Sequence, residues 1–264
     1  MNYLQKYLFL LLFCSMSAMA SFAQDTLWNQ TDDKGQKQGF WKVTYENGIV
    51  KYQGFFKNSK PFGEFKRYHE DGTIKALQQF MPDGITTYVK MFYNNGILAA
   101  DGKFVNSQKD SVWNYYSFYD KGLKLKETYS LGKKNGISKK YHSSGKLAEE
   151  LNWKNNQKDG SWIQYFEDGS LLLKTNYISD KRQGNYETYY RGNKLETKGV
   201  FVNNLMEGEW IYFDDSGKEK MRIIYNKGIP QNAGLLEKEQ EDFFHKLENN
   251  KGKIPEPDEN NFMP

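Results

Sequence analysis

The chain has very little cysteine, histidine and proline. Its 264 residues include one Cys, three His and six Pro. A single Cys excludes a disulfide framework and any zinc site built from several thiolates, and three His leave few ligands for a metal cluster. Aromatic residues and glycine are abundant instead, with 6 Trp, 19 Tyr, 18 Phe and 23 Gly. Because disordered chains are poor in aromatics, this composition indicates a folded protein whose core is made of rings.

Residues 1–23 have the layout of a secretory signal peptide. Lys6 supplies a positive charge, an apolar run follows, and small residues allow cleavage after position 20 or 23. A membrane anchor is the alternative, but the run is short and rich in Ser and Ala for a spanning helix. Cys14 would allow lipid attachment, although Phe13 stands where bacterial lipoproteins carry a small residue. We therefore predict an exported protein that is periplasmic, outer-membrane-associated or secreted.

The rest of the chain repeats every 24 residues. In most repeats a Gly lies seven positions after an aromatic, which we name the repeat aromatic, and we name that Gly the unit-start residue. Thr87 and Ser111 replace Gly in the third and fourth units. With Gly39 in the first unit, eight units run from 39 to 232. The repeat aromatics are Phe56, Phe80, Phe104, Tyr129, Trp153, Tyr177, Phe201 and Tyr225.

Each unit is predicted to form a β-hairpin. The first strand is predicted to begin at the unit-start residue. A large residue lies two positions after it in every unit except the fifth, which has Ser138, and a second aromatic lies five positions after it in every unit except the first. A turn signal such as Asn47-Gly48 or Asp71-Gly72 follows. These dipeptides favour tight turns because Gly accepts a positive φ. Positions three apart face opposite sides of a regular strand, so we expect either a bulge between the two aromatics or rings on both faces.

The unit resembles the MORN repeat in the variant form found in bacterial proteins, some of which carry the label of YwqK-family antitoxin. The match is seen from Gly136 to Trp153 and from Gly160 to Tyr177, where Gly, the second aromatic, the turn Gly and a Leu keep their spacing. The resemblance implies an all-β fold, an elongated antiparallel sheet of about eight stacked hairpins. It implies no single function, because such repeats bind many partners.

An array of stacked hairpins needs both of its edges covered. Residues 24–38, with Leu27 and Trp28, are predicted to form an N-terminal cap. Apolar residues near helical spacing predict a short capping helix over 233–252. The acidic stretch 253–264 contains three of the six prolines and is predicted to be disordered.

The sequence shows no constellation of catalytic residues, so we predict a protein that is not an enzyme and has no cofactor or metal. His69 and His142 occupy a repeat position that holds Tyr or Phe in other units. The candidate binding residues are tryptophans two positions after the unit-start residue. If their face is covered, the rings form the core, and if it is open, they form an aromatic strip. The four tryptophans are Trp41, Trp113, Trp162 and Trp210.

The function expected from these features is that of an exported scaffold that mediates protein–protein interaction. The alternatives are carbohydrate or lipid-headgroup binding through the aromatic strip, and an antitoxin-like partnership with a toxin, which only the resemblance implies. Positive and negative residues are interspersed along the array, as on a solubilising surface, so nucleic acid is not an expected partner.

Overall fold

The computed structural model describes residues 27–232 and, beyond them, residues 234, 241, 245, 248 and 249. The predicted signal peptide, the tail over 253–264 and most of the predicted helix over 233–252 lie outside the described residues, so these assignments stay predictions. The elements that are described form one 19-stranded sheet, which confirms the all-β array of stacked hairpins.

The sheet is an antiparallel meander in which strands that follow one another in sequence are paired. Each unit supplies two strands, and β10 and β11 are one strand interrupted at Asn135. The strands are β1 (Gln30–Thr31), β2 (Lys37–Thr44), β3 (Val50–Lys57), β4 (Lys60–Tyr68), β5 (Ile74–Phe80), β6 (Thr86–Phe92), β7 (Leu98–Val105), β8 (Gln108–Tyr116), β9 (Leu123–Ser130), β10 (Lys133–Lys134), β11 (Gly136–Tyr141), β12 (Leu147–Lys154), β13 (Gln157–Tyr165), β14 (Leu171–Ile178), β15 (Lys181–Tyr190), β16 (Lys194–Val202), β17 (Leu205–Phe213), β18 (Glu219–Asn226) and β19 (Ile229–Pro230).

The unit-start residue lies inside a strand rather than at its beginning, which differs from the sequence prediction. Strand β13 begins at Gln157, and Gly160 follows within it with a φ of 107°. On β13, Trp162 and Lys158 are four residues apart, whereas their partners on β12 are two residues apart. The positive φ thus accommodates a bulge of two residues, so that the strand continues on both sides of the glycine.

The two units without a Gly at this position behave differently. Ser111 keeps the left-handed backbone, with a φ of 59°, and the bulge with it. Thr87 does not, and β5 and β6 pair regularly up to Phe80 and Thr87. The loop before β6 is correspondingly long and covers residues 81–85. Within it, the Asp83 carboxylate accepts hydrogen bonds from the backbone N–H groups of Ile85 and Thr86 at 3.0 and 2.8 Å. The residues that a bulge absorbs elsewhere therefore lie in the loop here.

Each edge of the sheet is formed by a two-residue strand, β1 or β19, and an asparagine side chain caps the backbone of the neighbouring strand. At the first edge, the Asn29 amide donates to the Lys42 carbonyl at 2.9 Å and accepts from the Lys42 N–H at 2.8 Å. At the last edge, the Asn232 amide donates to the Arg222 carbonyl at 2.9 Å and accepts from the Ile224 N–H at 3.0 Å. Each amide satisfies backbone groups that a further strand would otherwise pair with, which limits edge-to-edge association.

Substitution by glycine at the two exceptional positions should have opposite effects. Ser111→Gly relieves the left-handed strain and should leave stability unchanged or raise it by up to about 1 kcal/mol. Thr87→Gly removes a buried side chain from extended backbone and should lower stability by about 1 kcal/mol or more. Urea unfolding of both variants checks this expectation, and effects of the same sign would contradict the assignment of the bulge.

Candidate functional site

The four predicted tryptophans lie on one face of the sheet, which we name the ring face. Trp113 and Trp210 are only 1% and 3% exposed, whereas Trp41 and Trp162 are half-buried. The repeat aromatics lie on the same face and contact them, with ring centroids 4.8 Å apart for Phe104 and Trp113. Trp113 and Trp210 therefore belong to the core, whereas Trp41 and Trp162 are only partly covered. Binding of a partner by any of them stays a prediction.

Large rings of the ring face lie across small residues of the preceding strand. The indole of Trp113 lies directly over Gly102, and a Cβ atom on that glycine would stand 2.3 Å from the indole. Such a distance allows no side chain at all, so glycine is required there for packing rather than for its φ. The other pairs of this kind are Phe65 over Gly54 and Trp210 over Gly199.

Indole N–H groups on the ring face are satisfied by the backbone. Trp113 donates to the Lys103 carbonyl at 3.0 Å, and Trp210 donates to the Val200 carbonyl at 3.2 Å. Within the described part of the chain, the buried N–H of Trp162 has no such partner. The shared geometry of the first two rings indicates that the tryptophan position is fixed by the repeat itself.

Two buried glutamates interrupt the rings in the middle of the array. Glu127 forms an ion pair with Lys134 and accepts a hydrogen bond from the Tyr129 hydroxyl at 2.6 Å. Burial raises the pKa of Glu127, but these two partners outweigh burial and hold the pKa below its ordinary value. Burial likewise raises the pKa of Glu149, but the hydrogen bonds from Lys140 and Gln164 and the charge of Lys140 together outweigh burial and hold the pKa below its ordinary value.

The lowered pKa of Glu127 predicts a loss of stability in acid. The stabilisation is present above the ordinary value of 4.5 and disappears as the pH falls through the folded-state pKa. Glu127→Gln should therefore be less stable than the native protein by about 2 kcal/mol at pH 6, and this gap should shrink towards pH 3. Thermal melts across that range measure the gap. The exposed Glu70→Gln is the control, and a Glu127→Gln gap that stays constant with pH would contradict the prediction.

The second aromatic of each unit lies on the opposite face, which we name the outer face. The Tyr116 hydroxyl donates to Asp101 at 2.8 Å, and the Tyr189 hydroxyl donates to Glu187 at 2.8 Å. Burial, and then the hydrogen bond to the carboxylate, raises the pKa of Tyr116 and of Tyr189 to about 12. Both faces of the sheet therefore carry rings, which answers the question left open by the sequence.

An exposed group of rings covers the outer face at the N-terminal end, and we name it the outer aromatic cluster. It consists of Trp28, Phe40, Phe55 and Phe62, with neighbouring centroids 6.0, 5.2 and 5.8 Å apart. Trp28 is 48% exposed, and Phe55 and Phe62 are each 46% exposed. This cluster is not among the binding residues predicted from the sequence. The doublets Phe40-Trp41 and Phe55-Phe56 signal it, because adjacent strand residues face opposite sides.

An open groove of about 500 Å³ lies on the outer face between β4 and β8. Leu77, Gln79, Tyr88 and Lys90 lie on its central strands, where the third unit lacks a bulge. Tyr88 is 52% exposed. The groove therefore presents one accessible aromatic ring among mixed polar and apolar side chains.

The two histidines of the array connect successive turns. A ring nitrogen of His69 lies 3.1 Å from the Phe92 carbonyl, and one of His142 lies 3.0 Å from the Tyr165 carbonyl. The Tyr45 hydroxyl makes the equivalent hydrogen bond to the next unit. Within the described residues, no cluster of three His, Cys, Asp or Glu could hold a metal ion. The same part of the chain has no helix long and apolar enough to span a membrane.

Comparison with known proteins supports the resemblance for four units. Residues 37–58, 63–81, 134–155 and 158–179 match the family described as MORN repeat variant. MORN repeats generally serve as interaction modules for proteins or membrane lipids. The finer assignment to YwqK-family antitoxins stays a prediction. No curated protein matches the chain.

Among solved structures, a chain of the crystal structure of TcdB2-TccC3-Cdc42 is similar at 12% sequence identity. The likeness covers 76% of this chain but only 14% of that chain, with a TM-score of 0.21. A TM-score this low supports no conclusion about fold or function. The architecture is given by the strands of the chain itself and by their pairing. These findings identify four repeats of the array as similar to the MORN repeat variant.

Proposed function

We propose that the protein is a non-enzymatic scaffold that binds another protein through its outer aromatic cluster. The supporting observation is the exposure of Trp28, Phe55 and Phe62 in one patch on a face that no second layer formed by residues 27–232 covers. Contiguous apolar patches on soluble proteins mark interaction sites, and aromatic rings dominate the binding energy of protein interfaces. A partner that presents apolar side chains fits this surface.

Removal of the two central rings should abolish capture of the partner. The variant Phe55→Thr/Phe62→Thr keeps residues that favour strands and loses only half-exposed side chains, so the sheet should remain folded. Affinity capture from the cell's own envelope fraction should recover a reproducible partner with the native protein and at least tenfold less with this variant. Thermal melting verifies that both proteins are folded.

The matched control changes two exposed apolar residues at a distant part of the same face. Ile178 and Val200 are 59% and 37% exposed, and Ile178→Thr/Val200→Thr should capture the partner as well as the native protein does. The proposal is wrong if the phenylalanine variant retains the partner, or if the folded native protein recovers none in repeated captures.

Carbohydrate binding is the second candidate, and the groove around Tyr88 is the observation that favours it. A half-exposed ring with an amide and an ammonium group beside it can stack on a sugar and hydrogen-bond its hydroxyls. A fluorescence titration with soluble oligosaccharides should then show saturable binding that Tyr88→Ala removes. An unchanged response in Tyr88→Ala would dismiss this site.

Export is part of the proposal and rests on the sequence of residues 1–23. Sequencing the N-terminus of the protein recovered from cells tests export. Mature chains are expected to begin at position 21 or 24. An uncleaved chain in the cytoplasmic fraction would oppose it. The antitoxin role rests on the resemblance alone, and a cognate toxin would have to be exported as well.

A further inference from the structure

A positively charged residue recurs on the ring face two positions before the unit-start residue. In four consecutive units this position is basic, and each side chain is the direct cross-strand neighbour of a repeat aromatic. We name these four residues the cation ladder. They are Lys109 beside Phe104, Lys134 beside Tyr129, Lys158 beside Trp153 and Arg182 beside Tyr177.

Each cation of the ladder also lies over the repeat aromatic of the following unit. The distances from the charged group to the ring centroid are between 4.7 and 5.2 Å. Cations at this distance are attracted by the ring quadrupole, so the four side chains are held along one line. The contacts are Lys109 to Tyr129, Lys134 to Trp153, Lys158 to Tyr177 and Arg182 to Phe201.

The backbone fixes the spacing of the ladder. The carbonyl of each cationic residue accepts a hydrogen bond from the turn at the end of the following unit. The Asn156 N–H donates to the Lys134 carbonyl at 2.9 Å, and the Asp180 N–H donates to the Lys158 carbonyl at 2.9 Å. Successive cations stand two strands apart, which corresponds to ~9.6 Å at the usual strand spacing. The ladder is therefore a row of charges with a regular period.

Packing alone does not require the charges. At the same position in two other units, Pro61 and Met206 stand opposite the repeat aromatics Phe56 and Phe201. The first unit carries Lys37, 5.0 Å from the Phe56 ring centroid, and Ile85 of the third unit lies in the loop before β6. Compensation inside the fold is also incomplete. Lys134 is paired with Glu127, but among the described residues no carboxylate forms an ion pair with Lys109, Lys158 or Arg182. These three charges are half-buried, where an ion pair is worth more than in open solvent.

We propose that the cation ladder binds an extended acidic segment of a partner protein. A polyproline II segment advances ~9.3 Å in three residues and brings every third side chain to the same side. Carboxylates three residues apart would therefore meet successive cations, and intervening prolines would contact the neighbouring rings. The proposal deepens the proposed protein-binding function, but it concerns the ring face rather than the outer aromatic cluster.

The probe is a fluorescent ten-residue peptide with glutamate at positions 1, 4, 7 and 10 and proline elsewhere. Fluorescence anisotropy at low salt should show saturable binding that weakens as salt is added. An isomer with its four glutamates adjacent has the same charge, and it should bind at least fivefold more weakly to the native protein. Equal binding of the two peptides would overturn the proposed spacing without the use of any variant.

The variant Lys109→Met/Lys158→Met/Arg182→Met removes the unpaired charges and keeps the cover over the rings. The chain itself carries Met206 at this position, so the fold should tolerate the change. Affinity for the spaced peptide should fall at least tenfold. The control Lys75→Met/Lys146→Met/Lys218→Met removes three exposed charges near the turns at the other ends of the strands, and its affinity should change less than twofold.

The outcomes separate this proposal from the proposed function. Equal losses in the two triple variants would show non-specific attraction and overturn the ladder. Binding to phosphatidylglycerol vesicles that the ladder variant loses, without binding to the spaced peptide, would assign the surface to a membrane instead. If the ladder variant binds the peptide normally while the phenylalanine variant still loses its partner, the ladder is wrong and the proposed function stands. If the triple variant is unfolded, Lys158→Met alone should weaken binding at least threefold.

Discussion

The structure of the described residues depends on the fact that they give their sheet no second layer to pack against. In a two-layered fold, side chains stand up from the sheet and interlock with those of the opposite layer. Here some large rings lie across the neighbouring strand instead, and three of them lie directly over a glycine. The contact of Trp113 with Gly102 leaves no room even for a Cβ atom. Close packing under rings thus accounts for three of the glycines, whereas most of the others have a positive φ at turns and bulges.

The bulge at the unit-start residue determines how this arrangement repeats. It absorbs two residues within a strand. The turns that follow most repeat aromatics donate a backbone hydrogen bond to the residue two positions before a unit-start residue, as Asn156 does to Lys134. The third unit shows what the bulge does, because Thr87 has no left-handed backbone and the surplus residues move into the loop at 81–85. The groove of the outer face lies over these regular strands. A single change of residue type at one repeat position thus coincides with a groove in the outer face that a small ligand could enter.

The spacing of the sequence was sufficient to predict the hairpins, their number and their turns, because a 24-residue period leaves little freedom in how two strands and two turns are distributed. It was insufficient to decide which rings are covered. Trp113 and Trp41 occupy the same repeat position, yet only the first is fully buried. Trp162 has neighbouring units on both sides and is nevertheless half-buried, so distance from an edge does not by itself decide burial. The candidate binding residues were chosen among positions that recur in the repeat. Phe55 and Phe62 do not recur in this way, because only the first two units carry phenylalanine at these places of the outer face.

The two faces of the sheet are suited to different partners. The rings of the ring face pack against one another and leave little apolar surface for a partner. The groups that this face exposes to solvent are the cations that lie over the rings. The outer face lacks such packing at its N-terminal end and presents the rings themselves. A half-buried ammonium group has lost part of its hydration already, so a carboxylate that approaches it causes less further desolvation than at a fully exposed lysine. Half-buried cations recur along the ladder at every second strand. Selectivity would therefore follow from the spacing of the partner's charges rather than from their number.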